Sequence, residues 1–171
     1  MSPLKNGRHL FNEVPEGYPV PGKTTVYDET QTIDLDNVPL NGGILIKVLV
    51  LSIDPYMRGK MRLPSAKSYS PPFEIGKPLE NHGVGLVLRS ESSDIKVGDH
   101  VYGVFSFQQY IIKPNSNGVR VLQNQENLPW SNYIGAAGMP GQTAFFAWKE
   151  YSKAKKGETV YISTGAGPVG S

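Results

Sequence analysis

The sequence contains no cysteine. That absence excludes disulfides, thiolate metal sites and a cysteine nucleophile together, and it fits a reducing compartment such as the cytoplasm. Charge of one sign is also lacking: 17 basic residues stand against 15 acidic ones, for a formal net charge of +2. No run of like charge is long enough to track a phosphate backbone, so nucleic acid is not an expected partner. Long apolar runs are missing too. The most apolar stretch, Ile44 to Leu51, is broken by Lys47, and Met1 to Gly17 carries Lys5 and Arg8 without an apolar h-region. Neither a membrane span nor a secretory signal is expected, and no Asn-x-Ser/Thr sequon occurs.

What the chain does have is 19 Gly and 14 Pro in 171 residues, with a 39% hydrophobic share. Pro and Gly stay below the roughly 25–30% that marks disorder, yet exceed what a helical bundle carries, so the expectation is a loop-rich, mainly β globular chain. Ile44-Leu-Ile-Lys-Val-Leu-Val-Leu-Ser-Ile53 is the strongest strand signal. Near-continuous branched residues after an Asn41-Gly-Gly43 turn suit a strand buried on both faces at the centre of the core. Asp54-Pro55 stops it, because Pro lacks the donor for another ladder bond. Further strands are expected at Thr24 to Tyr27, Gln31 to Leu35, Gly83 to Arg89, His100 to Phe105 and Gln108 to Lys113. Leu63 to Pro78 reads as a long surface loop. This spacing of short strands suggests a small barrel or sandwich.

The pattern changes after Leu122. Pro129 sits where a first helical turn accepts it. Gly141 to Lys153 has helical spacing through Ala144, Trp148, Ala147 and Tyr151, with Gly157 as a stop, and Phe145, Phe146 and Trp148 are assigned to packing. Glu158 to Ser163 is a predicted strand running into Gly165-Ala-Gly-Pro-Val-Gly170. Gly165, Gly167 and Gly170 match the dinucleotide fingerprint, whose physics is a tight turn and close backbone approach to a pyrophosphate. A Walker loop fails, since Ser171 stands where its lysine must be. A flexible Gly-rich tail is the plain alternative.

Leu51-Ser-Ile-Asp-Pro-Tyr-Met-Arg58, Gly138-Met-Pro-Gly-Gln-Thr-Ala144 and Lys156-Gly-Glu-Thr-Val-Tyr-Ile-Ser163 leading to Gly165–Gly170 together resemble the zinc-independent medium-chain dehydrogenase/reductases. Within them the likeness is to the NADP-dependent alkenal/alkenone double-bond reductases, the leukotriene B4 dehydrogenase/prostaglandin reductase-like branch. The resemblance implies a GroES-like, partly open β-barrel over residues 1–125, a connecting helical segment over 126–157, and over 158–171 the first strand and Gly-rich turn of an incomplete Rossmann domain. It further implies a chain truncated after that turn, and a homodimer in the full-length form. The implied reaction passes hydride from NADPH to the β-carbon of a conjugated carbonyl compound. Quinone reduction and a non-catalytic barrel module are the alternatives.

By the same resemblance, Pro55 and Tyr56 contact cofactor or substrate, with Tyr56 the catalytic candidate as a hydrogen-bond donor rather than a base. A half-buried packing tyrosine is its structural alternative. Met139, Pro140, Gly141 and Thr143 are expected under the nicotinamide and its ribose, and Gly165, Gly167, Pro168, Val169 and Gly170 at the pyrophosphate. Where Gly141 and Thr143 do not serve cofactor, they start a helix. His82 lies where zinc-dependent relatives carry a metal-binding pair, but no cysteine completes a ligand set, and it is expected to be a turn or strand-start residue. Asp54 is expected to cap local backbone amides. Lys60, Arg62 and Lys67 read as a solvated charged loop, with a lid over an anionic or lipid-like substrate as the alternative.

Overall fold

The computed structural model describes residues 3–170. They fall into two compact units, one ending at Leu122 and one beginning at Gln123.

The first unit is built on β5 (Ile44–Leu51), whose branched side chains favour extended backbone. Around it lie β6 (Glu80–Ser90), β7 (His100–Ser106), β8 (Tyr110–Lys113) and β9 (Arg120–Val121), in an antiparallel sheet of order β8-β5-β6-β7-β9. The ribbon partners are β1 (Leu4–Lys5) with β4 (Thr32–Ile33), and β2 (Arg8–Phe11) with β3 (Thr25–Asp28). Isolated bridges Arg8 to Gln108 and Leu10 to Pro78 tie β2 to the main sheet. Strands β8 and β9 remain its edges, so the barrel is open among the described residues. Two apolar clusters fill it. Ile44, Ile46, Val87, Val101, Phe105 and Ile111 form one, and Phe11, Met57, Met61, Phe73, Leu79 and Phe107 the other.

Several expected strands shift or shrink. Burial of β5 on both faces holds only for Ile44, Leu45 and Ile46; Lys47 and Leu49 are exposed. Lys47 is exposed although β6 and β8 both pair with it, because pairing covers the edges of a strand and burial of its faces needs a layer packed over them. Strand β4 keeps only Thr32 and Ile33 of Gln31 to Leu35, while β6 begins earlier than expected, at Glu80.

In the second unit, Pro129 precedes a 3-10 turn over Trp130–Ile134, and α2 spans Met139–Ala147 with Pro near its start. A wider helical turn, Trp148–Ser152, continues it. The helix stops at Lys153, which takes a left-handed φ of 51°, and not at Gly157. Phe145, Phe146 and Trp148, expected to pack, are 60%, 57% and 48% exposed. The i,i+3 spacing of Phe145 and Trp148 and the i,i+4 spacing of Ala144 and Trp148 correctly mark a helix, but spacing alone does not supply a neighbouring layer to bury its face. Glu158 to Ser163 differs more sharply. It joins no ladder, and Val160, Tyr161 and Ile162 are exposed. A strand is stabilised by partners on its edges, and none of the described residues pairs with this segment.

Gly85 shows how closely β5 and β6 approach. A Cβ there would lie 2.3 Å from Ile46 Cγ2 and 2.9 Å from the Lys47 carbonyl oxygen. Gly85→Ala is expected to destabilise the chain by about 1–3 kcal/mol through overpacking, measured by urea unfolding. Gly59→Ala, with open space around the added carbon, is expected to be nearly neutral under the same conditions.

Candidate functional site

Beyond Leu51 the chain leaves the sheet while still bonded to it, the Ser52 amide donating to the His82 carbonyl at 2.8 Å. Pro55, with φ −55° and ψ −34°, then starts the short helix α1 (Tyr56–Lys60). This turn folds Asp54 and Tyr56 back against Asn81 of β6. Asp54 and Asn81 are 6% and 4% exposed, so their polar groups need protein partners. They have them. The Asp54 carboxylate accepts from Ser52 Oγ at 2.8 Å, Asn81 Nδ2 at 2.7 Å and the Tyr56 hydroxyl at 3.1 Å. Asn81 Nδ2 also donates to the Ser52 carbonyl at 3.0 Å, and the Tyr56 hydroxyl donates to Asn81 Oδ1 in a short contact. Asp54 therefore does not cap backbone amides through its side chain, as its place before proline suggested. Its carboxylate takes hydrogens from Ser52 and Asn81, and the Tyr56 hydroxyl, whose one hydrogen faces Asn81 Oδ1 as well, lies within reach of it.

Burial, reinforced by the neighbouring Asp54 carboxylate, pushes the Tyr56 phenol up to about 12. A phenol held neutral this firmly is no base at ordinary pH. Burial also raises the Tyr102 phenol, whose hydroxyl meets His82 Nδ1 at 3.0 Å while the two rings stack 5.4 Å apart. His82 is thus the third residue of β6 and a partner of Tyr102.

An apolar cavity of about 760 Å³ opens beside α1. Leu51, Met57, Met61, Leu79 and Phe107 form its wall, with Pro55, Asp54 and Arg58 among the remaining lining residues. Pro55 and Tyr56, adjacent in sequence, are therefore divided: Pro55 lines the cavity, and the Tyr56 ring turns to Asn81. The Arg58 guanidinium donates to the Gly17 carbonyl at 2.6 Å, holding the arm that brings Pro19 to the cavity. Lys60 pairs with Glu80 at 3.2 Å and lies 4.5 Å over the Phe73 ring, while Arg62 donates to the Gly59, Ala66 and Ser70 carbonyls. Lys60 is tied to β6 and Arg62 to carbonyls of the loop, unlike the solvated cations first expected, while Lys67 is exposed.

The remaining candidates lie in the second unit. Met139 starts α2, and the Thr143 hydroxyl donates to the Met139 carbonyl at 2.9 Å, so its hydrogen is used inside the helix. Gly141 has a packing reason of its own, since a Cβ would come 1.8 Å from the Ala136 carbonyl oxygen. Gly165, Gly167, Pro168, Val169 and Gly170 form a compact turn closed by Gly167 N to Thr164 O at 2.8 Å and Gly170 N to Gly167 O at 3.1 Å. A Cβ on Gly170 would sit 2.5 Å from the Thr164 carbonyl oxygen. That close approach gives Gly170 a packing reason inside the turn itself. Ser171 lies outside the described residues.

Asn81, Ser52 and Tyr102 were not singled out in the sequence. The available signal was Asn81 itself, an amide at the start of the strand Glu80–Ser90, where burial obliges it to find partners. Among the described residues, no three His, Asp or Glu side chains converge as a metal site, and no helix is long and apolar enough to cross a membrane.

Comparison with known proteins now adds to this geometry. Residues 8–121 match a family model described as the N-terminal domain of oxidoreductase. The chain is 40% identical over 169 residues to the NADP-dependent oxidoreductase RED1 of Cochliobolus heterostrophus, covering 97% of this chain and 47% of the relative. It is 34% identical over 168 residues to a 2-alkenal reductase (NADP(+)-dependent) of Nicotiana tabacum, covering 98% and 48%. The crystal structure of CurA from Vibrio vulnificus in complex with NADPH superposes with a TM-score of 0.80 at 28% identity, over 96% of this chain and 46% of that one. The chain spans about half the length of these relatives.

The raised Tyr56 phenol has a consequence for stability. Between the ordinary tyrosine range near 10 and the folded value of about 12, the native state holds a proton that the unfolded chain releases. Its stabilising contribution is thus complete below pH 10 and is lost as pH rises toward 12. Urea unfolding at pH 9 to 12 is expected to show a falling limb that is shallower in Tyr56→Phe; an unchanged limb would show that this phenol titrates normally.

Proposed function

Since the chain belongs to the medium-chain dehydrogenase/reductase superfamily, in the family whose N-terminal oxidoreductase domain matches residues 8–121, we propose that it forms the barrel side of an NADPH-dependent reductase of conjugated carbonyl compounds. The observation that carries this reading is the construction of Asp54 to Arg58: one turn that holds a buried polar cluster and also lines an apolar cavity, with Asp54 belonging to both. Similarity to a 2-alkenal reductase across 98% of the chain supports the substrate class.

NADPH, when bound, supplies hydride from its nicotinamide ring to the β-carbon of the acceptor. The chain's own residues would do the rest. Leu51, Met57, Met61 and Phe107 receive the acceptor's hydrocarbon part and exclude water, and Pro55 borders that space. Tyr56, outside the lining of that space and fixed by Asp54 and Asn81, would offer the cofactor or acceptor a neutral, positioned phenol. The turn from Gly165 to Gly170 would hold the pyrophosphate, and Met139, Gly141 and Thr143 would hold the nicotinamide riboside end. NADP as cofactor is supported by the NADP-dependent relatives and by the NADPH complex of CurA. A non-catalytic barrel module is the competing reading, favoured by the two apolar clusters that lie wholly within the unit ending at Leu122.

NADPH fluorescence titration of the chain, followed by NADPH oxidation with 2-alkenals, enones and quinones, separates these readings and ranks the acceptors. Binding is expected, weakened about tenfold by Gly170→Ala because the added carbon displaces the turn. A chain that stays folded yet neither binds nor oxidises NADPH would establish the module reading for these residues.

A further inference from the structure

Tyr56 has one hydroxyl hydrogen, and two acceptor oxygens crowd it from the protein side. These are Asn81 Oδ1, in the short contact, and Asp54 Oδ2 at 3.1 Å. The orientation of the Asn81 amide is not free to change this. Its Nδ2 faces the Ser52 carbonyl at 3.0 Å and the Asp54 carboxylate at 2.7 Å, both of which only accept. Turning the amide over would set its oxygen against both, replacing two hydrogen bonds by two oxygen–oxygen repulsions in a site that is 4% exposed. Asn81 Oδ1 must therefore face Tyr56, and it must receive the phenolic hydrogen. If that hydrogen swung outward to a ligand, the phenol oxygen would present lone pairs to two acceptors at once.

We infer that Tyr56 serves the site as a hydrogen-bond acceptor, its hydrogen committed inward by Asn81 and Asp54, so that the ligand group seated on it is an N–H or O–H donor and not a carbonyl or enolate oxygen. This reverses the donor role that the Asp54-Pro55-Tyr56 motif suggested. It also rests on the proposed function for the ligand's identity: of the two molecules in the site, the conjugated carbonyl compound brings only acceptors, whereas the nicotinamide riboside end of the cofactor brings carboxamide N–H and ribose O–H groups. Tyr56 therefore orients the cofactor, and stabilisation of the developing enolate oxygen falls to another donor.

Two arms test this. Neutron diffraction from crystals of the deuterated chain locates the Tyr56 hydrogen without any ligand. Deuterium between the phenol oxygen and Asn81 Oδ1 is the expected result; deuterium directed away from both acceptors, or an Asn81 amide with Nδ2 toward the phenol, overturns the inference. The second arm compares Tyr56→Phe with the native chain against NADPH and against its 3-acetylpyridine analogue, which lacks the amide hydrogens. Loss of one hydrogen bond is expected to weaken NADPH about tenfold. A matching loss for the analogue assigns the donor to the ribose, and no loss assigns it to the carboxamide. An unchanged NADPH affinity, with a raised KM for the enone, overturns the acceptor role. If the native chain binds no NADPH, the proposed function fails while the neutron arm still decides the polarity of Tyr56.

Discussion

The antiparallel pairing of β5 with β6 is the contact on which the rest of the first unit depends. Its register sets Leu51 opposite Gly83 and carries one further bond, from the Ser52 amide to the His82 carbonyl. Asn81 consequently lies beside the place where the chain leaves β5. Gly85 lets the two backbones approach over Ile46, and the same pair of strands contributes Ile44, Ile46 and Val87 to the apolar cluster that includes Phe105. A shift of one residue would turn Asn81 to the opposite face of the sheet and leave Asp54 buried without its amide partner.

From that register follows a division of labour across one short turn. The helix Tyr56–Lys60 is too brief to be stable by itself, and its position is fixed by what its two sides meet. Met57 and Met61 are buried in the apolar cluster of Phe11 and Phe107, and Tyr56 closes onto Asp54 and Asn81. The polar cluster is costly to bury and is tolerated because each buried group finds a partner. Such a fully satisfied network is stiff, and stiffness is what gives the Tyr56 hydroxyl a defined polarity. Arg58 extends the arrangement outward, its guanidinium holding the Pro15 to Gly17 arm near the cavity.

The second unit follows different physics. Its helix Met139–Ala147 begins where Gly138 and Gly141 pass within contact distance of the backbone of Tyr133 and Ala136, so glycine there answers a packing demand as well as any demand from a cofactor. The aromatic residues further along α2 remain exposed, and the segment Glu158 to Ser163 has strand composition without strand pairing. Both observations express one rule: periodicity specifies which face an element would bury, whereas burial needs a second layer.

Much of this protein was written locally. Branched runs marked β5 and β7, Asp54-Pro55 marked the strand exit, and three glycines after Thr164 marked a tight turn, because each depends on backbone preferences of neighbouring residues. Family membership was legible for the same reason, its motifs being short and ordered along the chain. The partners of Tyr56 were not legible. Asp54 is two residues away, but Asn81 is 25 residues distant, and no propensity links them. Only the sheet register brings the amide to the phenol, and only the amide's other two bonds, to Ser52 and Asp54, settle which atom faces it. The sequence alone determined that a tyrosine would stand at the end of the central strand; the tertiary structure decided which way its hydrogen points, because hydrogen-bond polarity belongs to the whole set of groups that share a buried site.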